Sequence, residues 1–515
     1  MSFSQIFSGQ SDCLGATIVT VESDISRGLY SFNLVGLPDK AVEESRDRVS
    51  SAIKNSGFSS PKSQNHKIVI SLAPADIKKE GPAFDLPIAL SYLLSSGEIV
   101  FDTNKKLFLG ELALSGEIRP VNGVLSIVRE AKKKGFEEIY VPKDNSKEAA
   151  LIKDIVIYPV STLEEIISHL DQKESEIIKT KILPSKETSI ENFETNEEEV
   201  DFAHIKGHES AKRALEIAAA GGHNILMWGP PGTGKTMLAK AFQGILPNLS
   251  YEDILEATSI HGSVGALKNT IITKPPFRSP HHTSSHIAIV GGGAQLRPGE
   301  ITLAHKGVLF LDEFPEFDRR VIESLREPLE ERIIKVSRAK GTATFPADFI
   351  LIAAMNPCPC GNFGSKKRCT CNILAVQKYQ RKISGPILDR IDIWIEVGEV
   401  DHKTLNTKKE SENSDVVRQR VKDARRRQYE RAVTHKMKTA RNSDIKAKYI
   451  NAVANIEKDA EKILTDSGDK LALSPRAYHR TIRLARTIAD LEKSQTIKIP
   501  HILEALQYRQ KREVL

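Results

Sequence analysis

One run of eight residues, Gly229-Pro230-Pro231-Gly232-Thr233-Gly234-Lys235-Thr236, combines the groups needed to hold a triphosphate. Its glycines let successive backbone N–H groups turn inward around phosphate oxygens, Lys235 adds a point charge for the β and γ phosphates, and the Thr236 hydroxyl is a ligand for Mg²⁺. Further along, Asp312 and Glu313 close an apolar run, Val308 to Leu311. The first acid can hold Mg²⁺ through water, and the second can orient or deprotonate an attacking water. ATP and Mg²⁺ are the cofactors this pattern predicts. A third group is sulfur: Cys358-Pro-Cys360 and Cys369-Thr-Cys371 form two thiol pairs separated by eight residues. Four thiolates on a short loop suit tetrahedral Zn²⁺, with free reduced cysteines or a redox-labile pair as the alternatives. Cys13 stands alone.

These groups need particular elements to position them. Ile225 to Trp228 reads as a buried strand, the glycines cannot continue it, and Lys235 to Lys240 opens a helix whose unpaired N–H groups and dipole face the phosphates. A second apolar run, Phe349 to Met355, ends in Asn356. Between Arg332 and Phe345 two alternating runs around Gly341 predict a hairpin with Lys335, Arg338 and Lys340 near its tip. Such a hairpin would touch phosphates without reading bases, or would pack between subunits. The long segment from Ser263 to His305, with Gly291-Gly-Gly293 and the basic Arg297, exceeds what a nucleotide site needs. Ser414 to Arg431 predicts a helix with Val417, Val421 and Ala424 on one stripe and arginines elsewhere, which suits either DNA contact or an exposed lid helix. Near the C-terminus Ser474 is a helix cap, with Pro475 in the first turn and Arg476 after it.

The chain of 515 residues is too long for one core and predicts roughly three domains. A hydrophobic share of 40% and a charged share of 27% are those of a soluble globular protein. No apolar run approaches the ~18 residues of a membrane span, and the first residues lack a basic and apolar leader, so a cytoplasmic location without a membrane partner is expected. The net charge of +7 is uneven: residues 401–515 carry 27 Lys+Arg against 16 Asp+Glu, leaving the rest slightly acidic. A basic end suits a polyanionic partner or a solvated helical face. Residues 1–170 alternate strand-like and helical runs, predicting an α/β domain. Residues 171–201, with 10 acidic and 4 basic residues, read as a mobile linker.

Three segments, Lys79 to Asp85, Leu109 to Val124 and Val141 to Asn145, resemble the proteolytic domain of Lon. The positions that match its nucleophilic serine and its lysine are Ala83 and Leu125, so the resemblance implies a Lon-like domain without peptidase activity. The strand end at Asn356 resembles the sensor position of AAA+ ATPases. Ser384 to Ile393 resembles the arginine-finger segment of the magnesium-chelatase and MCM branch, making Arg390 the group that completes a neighbour's site. The capped helix start from Leu473 to Arg480 resembles the one that presents a second sensor arginine, Arg476, in cis or in trans. With Pro276 to Ser285, Val290 to Ala294 and Arg297 to Glu300, the whole chain resembles the ComM (YifB, magnesium-chelatase-like) competence family. That resemblance implies an α/β architecture: a Lon protease-like (ribosomal S5 domain 2-like) N-terminal domain over 1–170, an AAA+ P-loop NTPase core over 202–400, and a helical C-terminal lid over 401–515. It also implies a homo-hexameric ATP-driven motor for branch migration of single-stranded or branched DNA in natural transformation and recombination. In this branch the insertions carrying Arg297 and the hairpin project into the ring's pore. A magnesium-chelatase ATPase subunit and a protein-remodelling module are the alternatives.

Overall fold

The computed structural model describes residues 3–12, 15–173, 181–189, 200–266, 271–293, 296–338, 341–363, 367–400 and 412–509. Cys13, Lys340, the Arg338 side chain and parts of the 171–201 stretch lie outside them. Two compact units divide the chain: the described residues of Met1–Glu194 with Tyr251–Ile272, and those of Thr195–Ser250 with Thr273–Leu515.

The first unit is built on a seven-stranded sheet ordered Ser31–Val35, His66–Ala73, Ala16–Arg27, Phe3–Ser11, Lys106–Phe108, Glu138–Pro142 and Val156–Val160. The two long central pairs are antiparallel and the remainder are parallel. Along Ala16–Arg27 the residues Val19, Val21 and Ser23 are buried in alternation, the period of a strand with one face on a core. Asp85–Ser95 is buried almost all round, and the helix Lys40–Asn55 is capped by the Asp39 carboxylate, which accepts from Val42 N at 2.9 Å. The strands Lys106–Phe108 and Glu111–Leu112 are separated at Gly110, where a Cβ would stand 2.7 Å from Ile118 Cγ2. Leu125 is a core residue and the Ala83 carbonyl accepts from Gly110 N at 3.1 Å, so both matched positions are occupied by apolar side chains.

Two stretches depart from expectation. The acidic stretch is anchored where it is described: Ser185 N donates to Ile157 O at 2.8 Å, Thr188 N to Ala150 O at 3.0 Å, and Ile182 is buried. Its few apolar residues supply the docking that its charge concealed. The second is Tyr251–Ile272, which lies within the expected ATPase core and belongs to the first unit. Its helix Tyr251–Ser263 packs on Val124–Lys133 with Ile254, Leu255 and Ala257 buried, and the Tyr251 hydroxyl donates to Leu151 O at 2.6 Å.

In the second unit five parallel strands are ordered Phe277–Arg278, Val308–Leu311, Ile350–Met355, Ile225–Trp228 and Ile393–Glu396. Ile225–Trp228 is an interior strand, fourth in the order between Ile350–Met355 and Ile393–Glu396, and is buried as its unbroken apolar composition requires. The helices Ser414–Thr434, Ala447–Ala454, Lys458–Lys470, Pro475–Leu491 and Ile499–Gln507 follow, and their buried residues share one continuous core with the sheet. The Ser414–Thr434 helix buries Val417, Val421 and Ala424 as the stripe predicted. Most of its arginines have partners within their own unit. Arg418 donates to Gly244 O, Arg425 to Ala219 O and Arg427 to Asp490 O, while Arg420 pairs with Glu216 and Arg431 with Asp490. They fasten the helix to its own unit.

Candidate active site

The strand Ile225–Trp228 delivers the chain to Gly229, where a Cβ would meet Val397 O at 2.1 Å, so only glycine fits. Gly232 and Gly234 adopt positive φ of 79° and 86°, which turns the loop into the helix Lys235–Ile245. No side chain caps that helix, so its first N–H groups are left to an anion. Lys235 is buried, and its Nζ donates to Gly229 O and Pro230 O at 2.8 Å each and to Asn356 Oδ1 at 3.3 Å. Burial lowers its pKa, with Asp312 opposing. Thr236 Oγ1 donates to Asp312 Oδ2 at 2.8 Å, so the two groups predicted to share Mg²⁺ lie side by side. This donor set fits a nucleotide phosphate with its metal: N–H groups and an ammonium for the anion, a hydroxyl and a carboxylate for the cation.

Glu313 follows in a left-handed conformation, φ 51°, with its carboxylate 3.1 Å from His282 Nδ1. His282 lies against His281, with ring centroids 4.2 Å apart and the planes tilted by 32°. His208 bonds the backbone of Thr233, its pKa lowered first by burial and then by Lys212. Sequence reasoning missed both histidines. The signals were the adjacent pair His281-His282 and the Gly207-His208 step before a helix.

Arg390 and Arg476 come together at Glu330. Arg390 donates to Pro386 O at 2.6 Å and pairs with Glu330, and Arg476 stands 3.8 Å from the same carboxylate. The Ser474 hydroxyl accepts from Ala477 N at 3.2 Å, so the cap that presents Arg476 forms as its sequence required. Arg390, then Arg476 and Arg480, hold the Glu330 carboxyl below its usual range. Among the described residues both arginines bond to Glu330 rather than to Gly229–Thr236.

Ile333–Arg338 and Gly341–Pro346 pair antiparallel with Arg338 opposite Gly341, so Gly341 begins the return strand. Lys335 is exposed, its backbone N–H donating to Glu327 at 3.2 Å. At the hairpin's base Arg332 donates to Phe349 O at 3.0 Å and pairs with Asp444 at 2.6 Å. Burial would raise neighbouring Asp348, but Arg441, Arg332 and Lys306 outweigh it and hold the carboxyl far below its usual range. Arg297 is exposed on a short ribbon with Gly291–Gly292. The four cysteines Cys358, Cys360, Cys369 and Cys371 converge into a cluster able to hold a metal ion.

A five-stranded parallel sheet with this strand order, a phosphate loop after its fourth strand and paired acids on the neighbour but one defines a P-loop ATPase of the AAA+ type. Comparison agrees: residues 201–405 match the family described as magnesium chelatase, subunit ChlI, with further matches to subunit ChlI of Mg-chelatase over 21–145 and to its C-terminal region over 411–509. Competence protein ComM of Haemophilus influenzae is 42% identical over 99% of this chain and 98% of its own length. The uncharacterized protein YifB of Escherichia coli is also 42% identical, over 99% of this chain and 97% of its own. The chain belongs to the ComM family. Shorter likenesses are to the Lon protease of Leptospira interrogans, 26% identical over 39% of this chain and 25% of its own, and to the DNA repair protein RadA of Streptococcus pneumoniae, 38% over 18% and 21%. Membership of the AAA+ class supports ATPase activity with ATP and Mg²⁺. Among the described residues no helix is long and apolar enough to cross a membrane.

Proposed function

We propose that the protein is an ATP-driven motor that assembles as a homo-hexamer and moves branches in DNA during transformation and recombination. What carries this reading is a division of labour within the chain. Lys235, Thr236, Asp312, Glu313 and Asn356 gather around one phosphate loop, whereas Arg390 and Arg476 gather at Glu330 with no bond to that loop. Groups divided in this way suit a ring, in which each subunit's arginines complete its neighbour's site. The likeness to a competence protein along the whole chain and to a DNA repair protein in part supports DNA as the substrate.

In this reading Lys235 exchanges its carbonyl partners for phosphate oxygens, and Asn356, already 3.3 Å from Lys235 Nζ, contacts the γ-phosphate beside it. Thr236, with Asp312 behind it, would hold Mg²⁺, which would supply charge neutralisation at the phosphates. Glu313 orients the attacking water, and His282 fixes the direction of its carboxylate. Arg297, Lys335, Arg338 and Lys340 engage DNA phosphates within the ring. The Lon-like domain over residues 1–170 serves without peptidase activity, since Ala83 and Leu125 cannot attack a carbonyl or take a proton. The core over 202–400 and the lid over 401–515 close on the nucleotide.

The test is ATP turnover by the purified protein with and without single-stranded and branched DNA, together with movement of a synthetic Holliday junction. DNA-stimulated turnover and junction movement are expected. Absence of both, with no DNA binding at low salt, would overturn the reading in favour of a protein-remodelling or chelatase-type ATPase.

A further inference from the structure

The geometry points to a tetrahedral zinc site on Cys358, Cys360, Cys369 and Cys371 that braces the phosphate loop from behind. Tetrahedral Zn²⁺ with bonds of about 2.3 Å sets its four sulfurs roughly 3.8 Å apart. Here Cys358 and Cys360 are 3.4 Å apart, Cys358 and Cys369 3.7 Å, and Cys360 and Cys369 3.6 Å, with Cys371 completing a group whose sulfurs all lie within 4.8 Å of one another. A disulfide would bring two sulfurs to about 2.05 Å, which none of these pairs approaches. An iron–sulfur cluster places several metal atoms between its thiolates and needs a wider cage.

The surroundings of the sulfurs agree with thiolate ligands. Phe363 N–H donates to Cys358 Sγ at 3.3 Å, and the backbone N–H groups of Asn362 and Thr370 donate to the Cys360 sulfur. Donors of this kind orient metal-bound thiolates and disperse their charge. On binding, four thiols release their protons to solvent and four Zn–S bonds form, with no change of oxidation state.

The position of the site gives it a role. Cys358 stands two residues after Asn356, and Cys371 immediately precedes Asn372, whose side chain caps the helix Ile373–Gln380 by accepting from Ala375 N at 2.7 Å. That helix returns Gln380 to Pro357 O at 3.4 Å. Between the two cysteine pairs Gly361 lies so close to the phosphate loop that a Cβ on it would meet Pro231 Cδ at 2.6 Å. One ion therefore ties the end of the sensor strand to the start of a helix and holds Gly361 against Pro231. Without it the back of the loop and the position of Asn356 would no longer be fixed, and misplacement on the ångström scale costs on the order of tenfold or more in rate.

The experiment uses the full-length protein purified without chelator. Metal analysis is expected to give one zinc per chain, lost in the C369S/C371S double variant. Replacement by Co²⁺ is expected to give the near-ultraviolet charge-transfer and visible bands of a tetrahedral tetrathiolate. Zinc far below one per chain, with no such spectrum, overturns the site. Gly361→Ala keeps all four ligands while pressing on Pro231, and is expected to retain zinc yet turn over ATP roughly tenfold more slowly. The double variant is expected to be at least as slow. Wild-type rates in both overturn the brace and leave the zinc site standing. The brace rests on the ATPase reading: a wild-type protein that binds zinc but hydrolyses no ATP overturns that reading instead.

Discussion

If Arg390 acts on a neighbour's nucleotide, Arg390→Ala and Glu313→Gln should each be inactive alone and should rescue each other when mixed. The surroundings of Arg390 allow the substitution: Glu330, which it neutralises, still faces Arg476 at 3.8 Å and is half-exposed. The Arg390 side chain is largely buried against the half-exposed Glu330, so losing the pair costs on the order of 1–3 kcal/mol. The bonds of Arg390 go to Pro386 O and Glu330, so nucleotide affinity should be unchanged. Turnover should fall about a thousandfold or more, the range for an arginine finger. Glu313→Gln keeps its Arg390 and loses the group that orients water. In an equal mixture of the two, a quarter of the interfaces pair an intact Glu313 with an intact Arg390, so turnover per subunit should recover to about a quarter of wild type. The assay is steady-state ATP hydrolysis after the two proteins are mixed, dissociated and reassembled, with DNA present. Activity in the mixture no greater than the sum of its parts would refute action in trans, and wild-type hydrolysis by Arg390→Ala alone would remove that residue from the site.

Lys235→Ala should abolish nucleotide binding, measured with a fluorescent ATP analogue, because no other described cation lies within the loop. Lys335→Ala should weaken DNA binding equally across sequences and reduce the slope of log affinity against log salt by about one, measured by anisotropy titrations at several ionic strengths. Burial raises Glu148 to about 7, opposed by the Asn145 amide, so the folded state favours the protonated acid and loses stability as pH climbs from the ordinary carboxylate range through 7. Glu148→Gln should therefore leave stability nearly unchanged near pH 4.5 and raise it by on the order of 3 kcal/mol at pH 8, read from denaturant midpoints at the two pH values.

Much of the site could be read from the sequence because it is written in contiguous residues. A phosphate loop needs its glycines, lysine and threonine in succession, and the Ser474 cap with Pro475 is a signal complete within one turn. What could not be read depends on residues far apart in the chain. His282 reaches Glu313 only because the strands ending near Arg278 and Leu311 are neighbours. The basic residues of Ser414–Thr434 look available in sequence, yet Arg420 and Arg431 are spent on Glu216 and Asp490, carboxylates placed by distant helices. Composition also misled at Ile182, where one buried apolar residue and a few backbone bonds were enough to dock an acidic stretch.

The excursion of Tyr251–Ile272 into the first unit means that this chain is not two beads on a string. A backbone cut introduced between residues 190 and 199 would not release the N-terminal piece, because part of the other piece is built into its fold. A gene trimmed to begin at residue 200 would encode an ATPase whose Ile254, Leu255, Ile260 and Ile271 have lost their covering. Each such side chain costs about 1.5–3 kcal/mol when exposed to water. The N-terminal unit therefore cannot be trimmed away without uncovering side chains that lie further along the chain.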